Sequence, residues 1–503
     1  MQLRRLCLPA RLRVRNRSID NHLVLGEWLG HRLEERGPTE CAVTASSDEC
    51  VDAKPCPQMP QISFMRQTRQ IQGPNVVDPR LGKEHLKWKM TTDRVWSFNI
   101  SAEIALLRRA ASGECDVTGK VVCDVAIVGG GVIGLSCARE LMHAGIERVV
   151  VLEKQGAVGT ESSSRANGGV RAQFTTAINI DFSIYSIGEF EKMQQGSGGL
   201  LSFHQTGYLL MVGTEAGVRG LATAYSLQRD RGVPTEWLSV PDVAARAPFV
   251  RTEGLRGATF HERDGFLDPH SVVQAMRQSA LAREARVLTN AAVQGIDDLG
   301  DHFVLHTSRV EVEAAWVVDA AGAHAKEVAA FVGIDVPVEP VRRNLAYIHD
   351  GKGPRELIPM CVDLDTGVLV RREVAGGFVV AYSNPDDAPG WDVSVDPRFF
   401  EDVADRIGNR FPFLEDAPVD PARCWAGLYP ETADHHAIVG PSSENEHFVI
   451  CAGFGGHGIM HSPAAGRAVA EIIADGRCST FDLDPLRPTR FAEGDLVIET
   501  AVL

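Results

Sequence analysis

Val122-Cys-Asp-Val-Ala-Ile-Val128 leads into Gly129-Gly130-Gly131-Val132-Ile133-Gly134, and after a helical stretch comes Arg148-Val-Val-Val-Leu152-Glu153. Each run of branched apolar residues reads as a buried strand. The pattern over Val132–Ala144 predicts a helix that Gly145 stops. Strand, glycine turn, helix and strand make a βαβ unit, which implies a parallel sheet with a right-handed crossover. The glycines satisfy G-x-G-x-x-G. Gly129 permits the tight turn, Gly131 lets the backbone approach a pyrophosphate, and Gly134 lets the helix pack on the sheet. The helix start at Val132 and Ile133 offers free N–H groups and a partial positive charge to phosphates. Glu153, followed by Lys154, stands where an acid binds ribose hydroxyls and disfavours a 2′-phosphate. An adenine dinucleotide is the expected ligand, although the pattern alone does not separate FAD from NAD.

The next segment does separate them. Gly159-Thr-Glu-Ser-Ser-Ser-Arg-Ala-Asn-Gly-Gly-Val-Arg171 is small, polar and glycine-rich. Such a loop could be simple surface, but directly after the ribose acid it suits a flavin's phosphate and ribityl chain. Ser163, Ser164, Arg165, Gly168 and Gly169 would offer hydroxyl, side-chain and backbone donors.

The 503-residue sequence carries a net charge of −15 and is 44% hydrophobic and 23% charged. That length supports two joined lobes and an extension. The acidic balance, with no basic stripe, argues against nucleic acid as a partner. No apolar run reaches the roughly 18 residues of a membrane span. Of the eleven cysteines, Cys41, Cys50 and Cys56 match no common zinc spacing. Cys123, Cys137 and Cys451 sit in apolar segments and read as buried, reduced thiols. The opening stretch holds Arg4, Arg5, Arg11, Arg13, Arg15 and Arg17 and no acid, which resembles a mitochondrial transit peptide; a disordered tail or untranslated upstream sequence would look the same. The expected location is therefore cytoplasmic, or mitochondrial if that leader is real. Residues 36–80, rich in proline, read as linker.

The expected fold class is α/β: a Rossmann-type binding domain with an interleaved, mainly antiparallel-sheet α+β substrate domain. The first is assigned to 121–200, 271–335 and 426–503, the second to 201–270 and 336–425, and 1–120 to an N-terminal extension that is largely disordered or linker. Gly207-Tyr-Leu-Leu-Met-Val212 and Gly377-Phe-Val-Val-Ala-Tyr382 exemplify the strands of the second domain.

Three separated motifs resemble the amino-acid oxidase superfamily of FAD enzymes, which includes glycine oxidase and sarcosine oxidase. They are the fingerprint with its Ser/Gly loop; Trp316-Val-Val-Asp-Ala-Ala-Gly322; and Gly427-Leu-Tyr-Pro-Glu-Thr-Ala-Asp-His-His-Ala-Ile-Val-Gly440 with Ala452-Gly-Phe-Gly-Gly-His-Gly-Ile-Met-His-Ser-Pro463. The resemblance covers about residues 120–490. Pro337-Val-Glu-Pro340, Gly455-Gly-His-Gly458 and Phe481-Asp-Leu-Asp-Pro-Leu-Arg-Pro-Thr-Arg-Phe491 look like the mitochondrial FAD-dependent oxidoreductase domain-containing proteins linked to respiratory complex I assembly. The first likeness implies an FAD enzyme that oxidises the C–N bond of a small secondary or N-methyl amino acid by hydride transfer to flavin N5. The second implies an assembly flavoprotein, and the flavin subunit of a hetero-oligomeric sarcosine or opine oxidase is a third possibility. The electron acceptor would be O2, a quinone or an electron-transfer flavoprotein.

The resemblance also implies site residues. Ala321 and Gly322 return to the cofactor sheet. Gly453, Gly455, Gly456 and Gly458, with His457, Ile459 and Met460, precede a helical segment at Pro463–Ile473. A glycine-dense turn at a helix start is an anion-stabilising nest, and in this fold it faces the flavin pyrimidine ring. Monomeric sarcosine oxidase has its flavin-linking cysteine at the position of Gly427; here the nearest thiol is Cys424, so FAD is expected to be non-covalent. Met460 stands where that enzyme has a lysine promoting reaction with oxygen, and methionine supplies no charge. The catalytic candidates are Arg171, Tyr429 and His457. Arg171 could clamp a carboxylate through paired donors, or form an ordinary surface salt bridge. Tyr429 could bond the substrate or only fill the core. His457 could sit over the flavin or cap backbone carbonyls. His435 and His436, pointing apart, suggest no metal site.

Overall fold

A computed structural model describes residues 85–89, 95–99, 120–196 and 198–501. The arginine-rich start, the proline-rich stretch and Cys41, Cys50 and Cys56 lie outside the described residues. Within the expected extension, His85–Lys89 and Val95–Asn99 pair as antiparallel strands, His85 opposite Asn99 and Lys89 opposite Val95.

From Lys120 onward the βαβ unit forms as the sequence predicts. The strand Lys120–Val128, the helix Val132–His143 and the strand Val149–Leu152 follow one another, and Gly145 takes a left-handed φ of 92° just past the helix. Parallel neighbours extend the sheet. Arg286–Leu288 lies beyond Val149–Leu152, and Glu311–Asp319 lies on the other side of Lys120–Val128. The long strand Glu311–Asp319 is shared along its length. Its first half pairs antiparallel with Phe303–Thr307, and its end pairs parallel with Phe448–Ala452. The helices Val132–His143 and Gly458–Asp475 cover one face, burying Cys137, Leu141, Ala465 and Val469 among the strand valines. They approach closely because Gly466 lies on Ser136: a Cβ there would meet the Ser136 carbonyl carbon and oxygen at 2.7 Å.

The second helix starts earlier than Pro463. The glycine turn itself is helical from Gly458, and Pro463 lies inside. Proline has no N–H for the carbonyl four residues back. Ser462 compensates, its Oγ donating to the Ile459 carbonyl at 2.9 Å.

The other sheet runs, in spatial order, Trp425–Glu431, Glu339–Ile348, Phe378–Tyr382, Val368–Arg372, Met360–Asp363, Tyr208–Val212, Gly257–His261, Glu236–Leu238. All its pairings are antiparallel except Met360–Asp363 with Tyr208–Val212. Trp425–Glu431 begins where the expected third piece of the cofactor domain would begin, yet it pairs with this sheet. Three short strands, Gly169–Val170, Gly265–Leu267 and Phe203–His204, form a third sheet after the Ser/Gly loop. The six cysteines of residues 120–501 are free, and Cys123, Cys137, Cys361 and Cys451 are buried. Among the described residues no helix is long and apolar enough to cross a membrane, and no His/Cys/Asp/Glu group could hold a metal ion.

Candidate functional site

The carboxyl ends of the parallel strands open onto one cavity, as expected of a doubly wound sheet. It holds about 1520 Å³ of empty space, its mouth included. The fingerprint forms one wall. Gly129 adopts a φ of 111°, closed to ordinary side chains, and donates its N–H to the Leu152 carbonyl at 2.9 Å. A Cβ on Gly134 would overlap the Gly129 carbonyl, so this glycine sets how tightly the helix sits against the turn. Gly131, Val132 and Ile133 line the cavity. Ser163 Oγ accepts from the Val132 N–H at 3.0 Å, holding the Ser/Gly loop over the helix start.

Glu153 is buried at the end of its strand. Its carboxylate accepts from the Gly130 and Gln155 N–H groups at 2.9 and 2.7 Å, and burial pushes its pKa up. Each oxygen keeps a lone pair for a ribose hydroxyl. Lys154 meets Glu161 at 2.8 Å and His324 at 2.6 Å, and Trp391 stacks on His324 at 4.3 Å. Arg165 ties the loop to the second sheet: its guanidinium donates to the Ala426 carbonyl, and its own carbonyl accepts from Trp425 Nε1. Ala321, Gly322 and Gly427 line the cavity. Ser164 does not join them; it is exposed and donates to the Glu161 carbonyl. The Cys424 thiol points elsewhere, donating to the Asp420 carbonyl at 3.1 Å and accepting from the Tyr347 N–H.

On the opposite wall, Gly453 and Gly455 hold φ of 74° and 49°. This turn presents Gly455, Gly456, Gly458 and Ile459 to the cavity. The 18-residue helix begins here, with no side chain capping its start, so its N–H groups and dipole are available to an anionic ring. The cradle fits FAD in its donors: one helix start for the pyrophosphate, an acid for the ribose, a second helix start for the flavin end. Its glycines fit as well, since a Cβ at Gly131 would lie 3.2 Å from Ser163 Oγ, and one at Gly456 would press on the Tyr429 ring at 2.6 Å.

A smaller chamber adjoins this wall, sharing Ala166, Asn167, Tyr429, Gly456 and Ile459 with the main cavity. All three catalytic candidates line it, together with Gly168, Gly169 and Met460. Arg171 is buried, which excludes the surface salt bridge. Its guanidinium stacks on Phe174 at 3.8 Å and donates to the carbonyls of Gln173 and Ala501. His457 meets Phe174 edge-on at 4.9 Å, and burial, aided by the charge of Arg171, holds it well below the usual histidine pKa and hence neutral. Tyr429 is kept protonated, chiefly by burial.

Sequence reasoning missed four contributors. Asn167 lines both spaces, and its Oδ1 accepts from Arg371 Nε at 2.7 Å. Arg371 is buried, donates to Glu373 at 2.8 Å and leaves Nη1 without a partner. Two consecutive arginines in the apolar run Val368-Leu-Val-Arg-Arg372 were the available signal. Arg343 lies 5.7 Å from the Tyr429 ring centre and 3.2 Å from Asp387. Tyr208 reaches the chamber from the second sheet.

Residues 124–472 match the family described as DAO, FAD dependent oxidoreductase. The chain is 30% identical over 427 residues to FAD-dependent oxidoreductase domain-containing protein 1 of Bos taurus, covering 76% of this chain and 87% of the relative. Among solved structures it is similar to L-proline dehydrogenase from P. horikoshii, with a TM-score of 0.70 and 26% identity over 75% of this chain and all of the other. Glycine oxidase from Geobacillus kaustophilus gives a TM-score of 0.65 and 26% identity, covering 74% of this chain and 99% of the other.

Proposed function

Because the chain belongs to the DAO family of FAD-dependent oxidoreductases, we propose that it oxidises the C–N bond of a small secondary or N-methyl amino acid. The observation that carries this reading is the buried Arg171 guanidinium beside neutral His457 and Tyr429, in a chamber that opens beside the glycine nest. A guanidinium taken out of water recognises a carboxylate through paired donors. Of its five N–H groups, two meet backbone carbonyls, which leaves others for a ligand.

FAD, when bound, supplies a two-electron acceptor for the hydride that leaves the carbon next to nitrogen. The residues do the rest. Arg171 binds the carboxylate and so turns the α-carbon toward the nest. Tyr429, packed on Gly456, walls the chamber and offers its hydroxyl to the substrate. His457, held neutral, adds no second positive charge beside Arg171 and presents a ring nitrogen that accepts a hydrogen bond from the substrate N–H; the amine gives its proton to solvent before its lone pair drives hydride departure. Proline and glycine, named in the similar proteins, each carry the amine and carboxylate this arrangement needs.

Met460, buried in the same chamber, brings no charge of its own, which favours a quinone or a flavoprotein over O2 as electron acceptor. Cys424, turned toward Asp420, favours non-covalent FAD. Anaerobic addition of sarcosine, proline, dimethylglycine or glycine should bleach the bound flavin's visible absorbance with at least one of them. A purified, FAD-loaded protein that none of the four bleaches would overturn the reading.

A further inference from the structure

Arg171 is held by a segment distant in sequence. Among the described residues it has no carboxylate within ion-pair distance; besides the Gln173 carbonyl, its anchor is the carbonyl of Ala501. Ala501 is in turn fixed by Glu499, whose Oε1 accepts from the Ala501 N–H at 2.9 Å. Glu499 is fully buried, although its three preceding residues, Leu496, Val497 and Ile498, are exposed. Its carboxylate collects the N–H and hydroxyl of Thr175, the hydroxyl of Thr176 at 2.7 Å and the amide of Asn179 at 3.1 Å.

A buried carboxylate with this many donors is firmly seated. Burial alone would raise its pKa, but the bonds from Thr175, Ala501 and Thr176 and the nearby Arg171 charge outweigh that and hold it below the ordinary carboxylate value. The seat lies at the start of the helix Ala177–Gly196, immediately after the Arg171–Phe174 stretch. One staple therefore fixes both ends of the contact, the carbonyl that grips the guanidinium and the chain that carries it.

We propose that Glu499 is a positioning residue for substrate binding: it pins residues 499–501 beneath the chamber so that the Ala501 carbonyl aims the Arg171 guanidinium at the substrate carboxylate. The inference rests on Arg171 being the carboxylate contact. Acetate and acetamide, titrated against the FAD-loaded protein and read by the shift in flavin absorbance, test both ideas separately. Arg171→Leu and Glu499→Ala should each weaken acetate binding about tenfold or more and leave acetamide binding unchanged. In turnover Glu499→Ala should raise KM for a carboxylated substrate far more than it lowers kcat. If Arg171→Leu weakens acetate and Glu499→Ala matches the wild type, the positioning role is wrong and the clamp stands. If neither variant changes acetate binding, the clamp itself is wrong and the inference goes with it. Should Glu499→Ala not fold, Thr175→Val removes one donor to the same carboxylate at nearly constant volume, and the same loss of acetate binding is expected; wild-type affinity in that variant would overturn the role.

Discussion

At the scale of single residues, a buried carboxylate keeps its charge where donors surround it. Glu471, on the helix that starts at the nest, is buried yet ionised down to about pH 2. Burial opposes this, but bonds from the Thr480 hydroxyl at 2.6 Å, the Thr480 and Ser479 N–H groups and the Cys478 thiol overcome it. A carboxylate whose folded pKa is depressed stabilises the native state above its ordinary value near 4.5, and that contribution drains away as pH falls toward the folded value. Glu471→Gln should therefore lower Tm at pH 7, with the gap to wild type closing as pH is taken from about 4.5 toward 2; a Tm difference independent of pH would disprove the assignment. None of this was visible in the sequence, because Glu471 sits in a helical run where an exposed acid would look the same.

At the scale of elements, the cofactor side was legible with its order, whereas on the substrate side strands such as Tyr208–Val212 and Phe378–Tyr382 were legible and their pairing was not. Strand, glycine turn, helix, strand and acid lie within 122–153, so local pattern alone fixes them. The glycine turn at 453–458 was legible for the same reason, though its helix starts at Gly458 rather than at Pro463, since the Ser462 hydroxyl takes over the carbonyl that proline cannot serve. By contrast, Met360–Asp363 lies parallel to Tyr208–Val212, a pairing between segments remote in sequence for which no local signal exists. Arg371 and Asn167 meet across a still longer separation. The pair of helices whose starts face the cavity makes its own prediction. Gly466→Ala would place a methyl carbon against Ser136 backbone atoms at 2.7 Å, so the helices must part, at a cost of about 1–3 kcal/mol. Both helix starts at the cavity would shift, and the purified variant should carry less FAD per chain, read as the ratio of absorbance at the flavin band to that of the protein.

At the scale of the whole molecule, buried ion pairs tie distant segments together. Arg490 and Asp434 are both fully buried, bonded at 2.8 and 3.0 Å, and Arg490 also donates to the His436 carbonyl. Removing one partner leaves the other charge without compensation, a loss of about 3–5 kcal/mol. Arg490→Met should lower the denaturant midpoint accordingly, while a double variant with Asp434→Leu should recover part of the loss; equal midpoints for the two would contradict the pairing.

The shared central strand has a consequence for how the polypeptide is made. Glu311–Asp319 pairs on one side with Lys120–Val128 and at its end with Phe448–Ala452. Translation proceeds at about 5–20 residues per second, so roughly 7–27 s separate the emergence of this strand from that of its last partner. Throughout that interval the end of this strand, Val317–Asp319, presents an edge with nothing to cover it, the kind of surface that recruits other chains. Until residue 452 has left the ribosome, that edge is open to a strand from a second chain.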